Sequence, residues 1–140
     1  MNKPFFYAIR GYKNSGKTTL MIKVVKILTE KGYKVAVIKH DGHDFEPDVP
    51  GTDSRRIKDA GAYGVAVFSQ NRVMIHKECK GIDEQKIAEA FPEADIIMIE
   101  GLKDKDYPGY FCNYPEEPVI PTEELADEII GLLQTAKIVL

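Results

Sequence analysis

Gly11-Tyr12-Lys13-Asn14-Ser15-Gly16-Lys17-Thr18 satisfies every fixed position of the pattern G-x-x-x-x-G-K-[ST]. On its amino side, Phe5-Phe6-Tyr7-Ala8-Ile9 is a short and nearly continuous apolar run, as expected of a parallel strand covered on both faces. On its carboxyl side, from Lys17 to Lys31, Leu20, Val24, Ile27 and Leu28 recur at helical spacing. Met21 and Val25 widen that stripe, while Lys23, Lys26 and Glu30 stay outside it. Strand, glycine loop and helix in this order make a phosphate cradle. The glycines admit backbone angles that let successive N–H groups converge on an anion, and the helix start adds unpaired N–H groups and a positive dipole end. Lys17 supplies a cation and Thr18 a hydroxyl for Mg²⁺. The ligand implied is a nucleoside triphosphate with magnesium, contacted by Gly11, Lys13, Asn14, Ser15, Gly16, Lys17, Thr18 and Thr19. The Lys-Thr ending, in place of a third glycine, argues against a nicotinamide or flavin cofactor.

Working outward, Lys34 to Lys39 and Asp95 to Ile99 are two more apolar runs that read as parallel strands. Gly32 marks the end of the first helix, with Lys31 well placed against its dipole. Asp53 to Ala60 reads as a short helix ending at Gly61. Val65 to Phe68 and Val73 to Ile75 read as a hairpin around Ser69-Gln70-Asn71. Asp83 caps a helix running to about Ala90 and stopped by Pro92. From Lys103 to Thr122, Pro108, Pro115, Pro118 and Pro121 stand among Tyr107, Tyr110, Phe111 and Tyr114, which reads as an irregular connection with aromatic anchors. Thr122 then caps a last helix with the stripe Leu125, Ile129, Ile130 and Leu133. The expected fold is α/β: one nucleotide-binding domain over residues 1–140, a three-layer P-loop NTPase fold with a mostly parallel central sheet and an inserted β-hairpin.

A phosphate loop of this type needs an acidic group at the end of a neighbouring buried strand to orient the magnesium's water shell. Glu100, directly after Ile96-Ile97-Met98-Ile99, is the candidate, with Thr18 and Asp53 as further magnesium contacts. Asp95 begins the same strand, at the end remote from the nucleotide. His40-Asp41-Gly42-His43-Asp44 follows the second strand, and ligands of open α/β sheets bind beyond the carboxyl ends of strands. Asp41 and Asp44 are therefore the candidates for orienting an attacking water, alongside Asp48. His40 and His43 can exchange protons near neutral pH and also have the spacing of a transition-metal pair. Of Arg55 and Arg56 in the following helix, one could contact a phosphate and the other should lie at the surface, and neither is assigned as an arginine finger.

With 140 residues the chain can bury one sizeable core without disulfides or a structural metal. A formal net charge of -3 argues against coating nucleic acid or an anionic membrane, yet leaves room for a local cationic site. The first apolar stretch is too short for a signal sequence or a membrane span, and Cys79 and Cys112 show no C-x-x-C spacing. Cytoplasmic location and reduced thiols are expected.

Gly11 to Thr19, Val35-Ala36-Val37-Ile38-Lys39-His40, His43-Asp44-Phe45, Asp48, Pro50-Gly51, Asp53-Ser54, Arg56 and Ala60-Gly61-Ala62 together resemble the MobB family, as does Glu100-Gly101-Leu102-Lys103. The resemblance covers roughly the first hundred residues. It implies a P-loop fold of the kind shared with nickel-insertion and signal-recognition GTPases, and a GTP-binding adaptor of molybdopterin-guanine dinucleotide biosynthesis with weak GTP hydrolysis. It further implies a homodimer, association with the molybdopterin guanylyltransferase and molybdoenzyme maturation proteins, and molybdopterin-guanine dinucleotide as a further bound ligand. By position, Gly11, Asn14, Ser15, Gly16, Lys17 and Thr18 would hold phosphates, Thr18 and Glu100 would serve magnesium, and the loop from His40 to Ser54 would respond to the nucleotide. After Lys103 the family usually continues through a Pro-Lys-Ile-Glu-like strand, which the proline- and tyrosine-rich segment replaces here. An Asn-Lys-x-Asp guanine-reading motif is absent.

Two other functions fit the same loop. A small P-loop kinase would use it to transfer a γ-phosphoryl group to a metabolite, but needs an arginine-bearing lid, and residues 103–122 contain no arginine. A metallochaperone GTPase would use His40 and His43, but the chain has no histidine-rich tail or cysteine pair.

Overall fold

The computed structural model describes residues 3–42, 45–47, 50–102 and 104–139. His43, Asp44, Asp48 and Lys103, singled out above, lie outside them. The elements in chain order are β1 (Phe6–Gly11), α1 (Lys17–Glu30), β2 (Val35–Lys39), α2 (Asp53–Asp59), β3 (Gly64–Ser69), β4 (Arg72–Lys77), α3 (Glu84–Ala88), β5 (Ile96–Glu100), β6 (Gly109–Cys112) and α4 (Thr122–Val139). They fall into two compact units: Met1–His40 with Glu84–Leu140, and Asp41–Asp83.

The first unit is built on a four-stranded sheet in the order β2-β5-β1-β6, with every pairing parallel. Alternation along the strands divides its apolar residues between two faces. Tyr7, Ile9, Ile96 and Met98 face one side and pack with Leu20, Met21, Val24 and Leu28 of α1 and with Leu125, Ala126, Ile129 and Leu133 of α4. Phe6, Ala36, Ile38 and Ile97 face the other and pack with Ile87 and Ala88 of α3. All five residues of β5 are buried, which is why its first four read as an unbroken apolar run. The stripes expected on α1 and α4 are the ones that face the core, with Val25, Ile27 and Ile130 only partly buried. The Tyr7 hydroxyl donates to Glu128 Oε2 at 2.9 Å, and burial together with that carboxylate pushes the phenol well above its usual range.

At the amino ends of the strands, Asp95 Oδ2 accepts from the Lys34 N–H at 2.7 Å while the Asp95 N–H donates to the Lys34 carbonyl at 2.8 Å. Asp95 is thus a structural tie at the end away from the glycine loop.

Two sequence expectations need correcting. Residues 103–122 are not irregular throughout, because Gly109–Cys112 forms β6 and adds to β1, with Ala8 opposite Gly109 and Gly11 opposite Cys112. Gly109 is needed for that approach, since a Cβ there would collide with the Ala8 carbonyl and the Arg10 guanidinium. The anchors are aromatic as expected: Tyr107 packs on Phe6 with ring centroids 4.8 Å apart, and the Tyr110 hydroxyl accepts from the Ile120 N–H at 3.0 Å. The second correction concerns α4, whose first turn closes with Leu125 N–H on the Pro121 carbonyl at 3.1 Å. Pro121 is therefore the cap residue and Thr122 the first helical one.

The second unit contains α2 and the antiparallel hairpin β3-β4, which pairs from Gly64 opposite Lys77 to Ser69 opposite Arg72. Asp53 begins α2 and places a carboxylate in its first turn, where it offsets the helix dipole. Arg55 lies 3.0 Å from both Glu46 and Asp59. Lys58 Nζ stands 2.9 Å from Glu78 Oε1 and, through that hydrogen bond, holds the carboxyl below its usual range. The hairpin leaves Val67, Phe68, Val73, Met74 and Ile75 exposed.

Among the described residues, no helix is long and apolar enough to cross a membrane.

Candidate functional site

The carboxyl ends of β1, β5 and β2 converge because β1 lies between β5 and β6 and β5 lies between β1 and β2. Ile9 stands opposite Glu100, and Lys39 stands opposite the same residue from the other side. The chain leaves β1 through Gly11, where a Cβ would come within 2.5 Å of Ser15 Oγ and 2.7 Å of the Cys112 carbonyl oxygen. Only glycine fits between the loop and β6 at this point.

Tyr12, Lys13 and Asn14 form an exposed crest, with the Tyr12 ring set edge-on against Phe111 at 5.3 Å. Asn14 is in the left-handed region at φ 62 and Gly16 at φ 91, so the backbone reverses hand twice within three residues. Alternation of this kind turns successive N–H groups toward one concavity and forms an anion nest. The turn is closed by the Ser15 N–H on the Tyr12 carbonyl at 3.2 Å.

Gly16 is the cap residue of α1. Among the described residues no side chain bonds the helix start, and no acidic residue lies in the first turn. The first intrahelical bond runs from the Leu20 N–H to the Gly16 carbonyl at 3.0 Å, leaving the N–H groups of Lys17, Thr18 and Thr19 outside the helix ladder. Ser15 is fully buried, and its hydroxyl has no hydrogen-bond partner among the described residues. An uncompensated dipole end, a nest of amides, a spare buried donor and a half-buried Lys17 make a donor set that suits a polyphosphate.

Beside them, the Thr18 hydroxyl donates to Glu100 Oε1 at 2.9 Å, and Glu100 is nearly fully buried at the end of β5. Two oxygen ligands at this distance, one of them anionic, suit a hard divalent cation. The strand end is pinned by its neighbours: the His40 N–H donates to the Glu100 carbonyl at 3.0 Å and the Gly101 N–H to the Ile9 carbonyl at 3.1 Å.

Gly11, Lys13, Asn14, Ser15, Gly16, Lys17, Thr18, Thr19 and Glu100 therefore come together in the first unit. Asp41 and Asp53 belong to the second unit.

Arg10 is a residue that the sequence reading left unremarked. Its Nε donates to the Leu102 carbonyl at 3.2 Å, and a terminal nitrogen donates to the carbonyls of Lys105 and Tyr107 at 2.8 and 3.0 Å. Leu102, at φ 59, holds a left-handed conformation unusual for its type. The Tyr107 hydroxyl in turn donates to the buried Glu84 at 2.6 Å. Arg10 thereby fixes the chain leaving β5, immediately after Glu100. The available signal was a single cation ending an apolar strand, directly before the glycine loop.

The arrangement has counterparts. Residues 6–112 match the family described as MobB, Molybdopterin guanine dinucleotide synthesis protein B. The molybdopterin-guanine dinucleotide biosynthesis adapter protein of Haemophilus influenzae is 32% identical over 127 residues, covering 89% of this chain and 71% of the relative. The adapter protein of the same name from Escherichia coli is 34% identical over 104 residues, covering 71% of this chain and 59% of the relative. Among solved structures, that of Bacillus subtilis MobB superposes with a TM-score of 0.66 at 27% identity, covering 87% of this chain and 72% of that one.

Proposed function

The chain belongs to the MobB family, and from that premise we propose that it is a GTP-binding adapter of molybdopterin-guanine dinucleotide biosynthesis, cytoplasmic, with weak GTP hydrolysis. The observation that carries this reading is the nest at Asn14 and Gly16 set against the bare amino end of α1, with Thr18 and Glu100 paired beside it. In this reading the backbone amides of residues 14–18 and the Lys17 ammonium hold the phosphates of GTP. Thr18 and Glu100 serve Mg²⁺, which when bound neutralises charge on the phosphate oxygens. Asp41 and Asp44 stay the sequence-based candidates for orienting a water, and Asp53 for the magnesium's water shell.

The adapter role is supported by the names carried by the two relatives. It implies contacts with the enzyme that attaches the nucleotide to molybdopterin, with molybdoenzyme maturation proteins and with the product dinucleotide. A homodimer is supported by the apolar side chains that the hairpin leaves exposed, from Val67 to Ile75.

Calorimetric titration of the protein with GTP, ATP and molybdopterin-guanine dinucleotide, with and without Mg²⁺, tests the reading. Magnesium-dependent GTP binding that Lys17→Ala abolishes is expected. A clear preference for ATP would overturn the adapter assignment.

A further inference from the structure

The geometry points to a nucleoside subsite in the cavity between the first turns of α1 and the segment joining β6 to α4, with the exposed Tyr114 ring as the platform for the base. This inference rests on the reading of the glycine loop as a triphosphate site and extends it to the other half of the ligand. The cavity has a volume of about 440 Å³, within the range of small-molecule pockets. It shares Ser15 and Gly16 with the phosphate loop, so a ligand whose phosphates occupy the nest has its remaining part at the cavity mouth.

The walls differ in chemistry. On one side Thr19 presents a hydroxyl from α1, while Val119 and Pro121 on the other are apolar and Tyr114, 57% exposed, supplies an aromatic face. A flat ring joined to a hydroxyl-bearing sugar matches this division, since every base has a face on which a tyrosine can stack. Lys23 and Thr122 complete the polar part of the lining, and no carboxylate stands among its described residues. The far wall is set in place by the bond from the Ile120 N–H to the Tyr110 hydroxyl and by the turn from the Glu117 N–H to the Asn113 carbonyl at 3.0 Å. Val119 approaches the loop closely, its Cγ2 lying 3.8 Å from where a Cβ on Gly16 would sit.

The test compares GTP with inorganic tripolyphosphate, which carries the phosphates alone, on the full chain with Mg²⁺. Tyr114→Ala should weaken GTP at least tenfold and leave tripolyphosphate within twofold, with Tyr114→Phe restoring GTP binding. Val119→Phe, which fills the cavity, should act like Tyr114→Ala. If the unaltered protein binds GTP no better than tripolyphosphate, or if both variants weaken the two ligands equally, the nucleoside subsite is overturned while the phosphate loop stands. If neither ligand binds the unaltered protein, the reading of the loop itself fails, and the subsite with it.

Discussion

Thr18 and Glu100, 82 residues apart in sequence, meet through a 2.9 Å hydrogen bond from the threonine hydroxyl to the glutamate carboxylate. The bond joins the first turn of α1 to the end of β5, and it sets two oxygens side by side where a cation can replace the shared proton contact. Glu100→Gln keeps the shape and removes the charge. It should lower magnesium-stimulated GTP turnover more than tenfold and reduce the gain in GTP affinity on adding Mg²⁺ to below twofold. Titration in Mg²⁺ and in chelator checks this, and wild-type magnesium dependence in the variant would count against Glu100 as a metal contact.

Gly11 is constrained by space. An alanine methyl would press on Ser15 Oγ and on the backbone and side chain of Cys112 at 2.5 to 2.9 Å. Gly11→Ala should destabilise the fold by about 1–3 kcal/mol, with thermal unfolding showing a Tm lower by several degrees. Gly42→Ala, where a Cβ meets nothing within 4 Å among the described residues, is the control and should stay within about 0.5 kcal/mol of the parent.

The two cysteines should separate cleanly by reactivity. Cys112 is fully buried, and burial raises its thiol above the ordinary range, whereas Cys79 is exposed. The fold favours the neutral thiol at Cys112, so this contribution to stability is complete below the pKa of an unfolded thiol, about 8.5, and declines as pH rises past it. Alkylation at pH 7.5 should modify one thiol per chain, at Cys79, and reach the second only in denaturant. Mass spectrometry of the labelled peptides reads the outcome; fast labelling of Cys112 would contradict the packing of β6.

Arg10→Met retains a long side chain but removes three hydrogen bonds to the carbonyls of Leu102, Lys105 and Tyr107. A loss of about 2 kcal/mol is expected. Hydrogen exchange should accelerate through residues 102–107 and, because Glu100 adjoins that segment, magnesium affinity should fall. Unchanged exchange there would show that the segment is held by Tyr107 and Glu84 alone.

The glycine loop was legible in the sequence because its chemistry is local. Strand, turn and helix are contiguous, and each leaves its own periodicity between Phe5 and Lys31. Glu100 was legible because a fully buried strand cannot end in a carboxylate without a polar destination, and the loop supplied one. The strand β6 was not, since four residues between Pro108 and Pro115 carry too little pattern and their partner lies a hundred residues earlier in the chain. The cap of α4 was misplaced by one residue because Pro121 and Thr122 are both acceptable at a helix start. The Arg10 clamp acts entirely through backbone carbonyls, which leave no mark in side-chain identities.

The position of β1 has a consequence for the order in which the molecule can be made. It precedes both of its sheet neighbours, β5 and β6, by most of the helices and strands of the chain. A nascent chain that carries Lys17 and Thr18 but not residues 96–112 has the motif without the neighbouring strands that shape it.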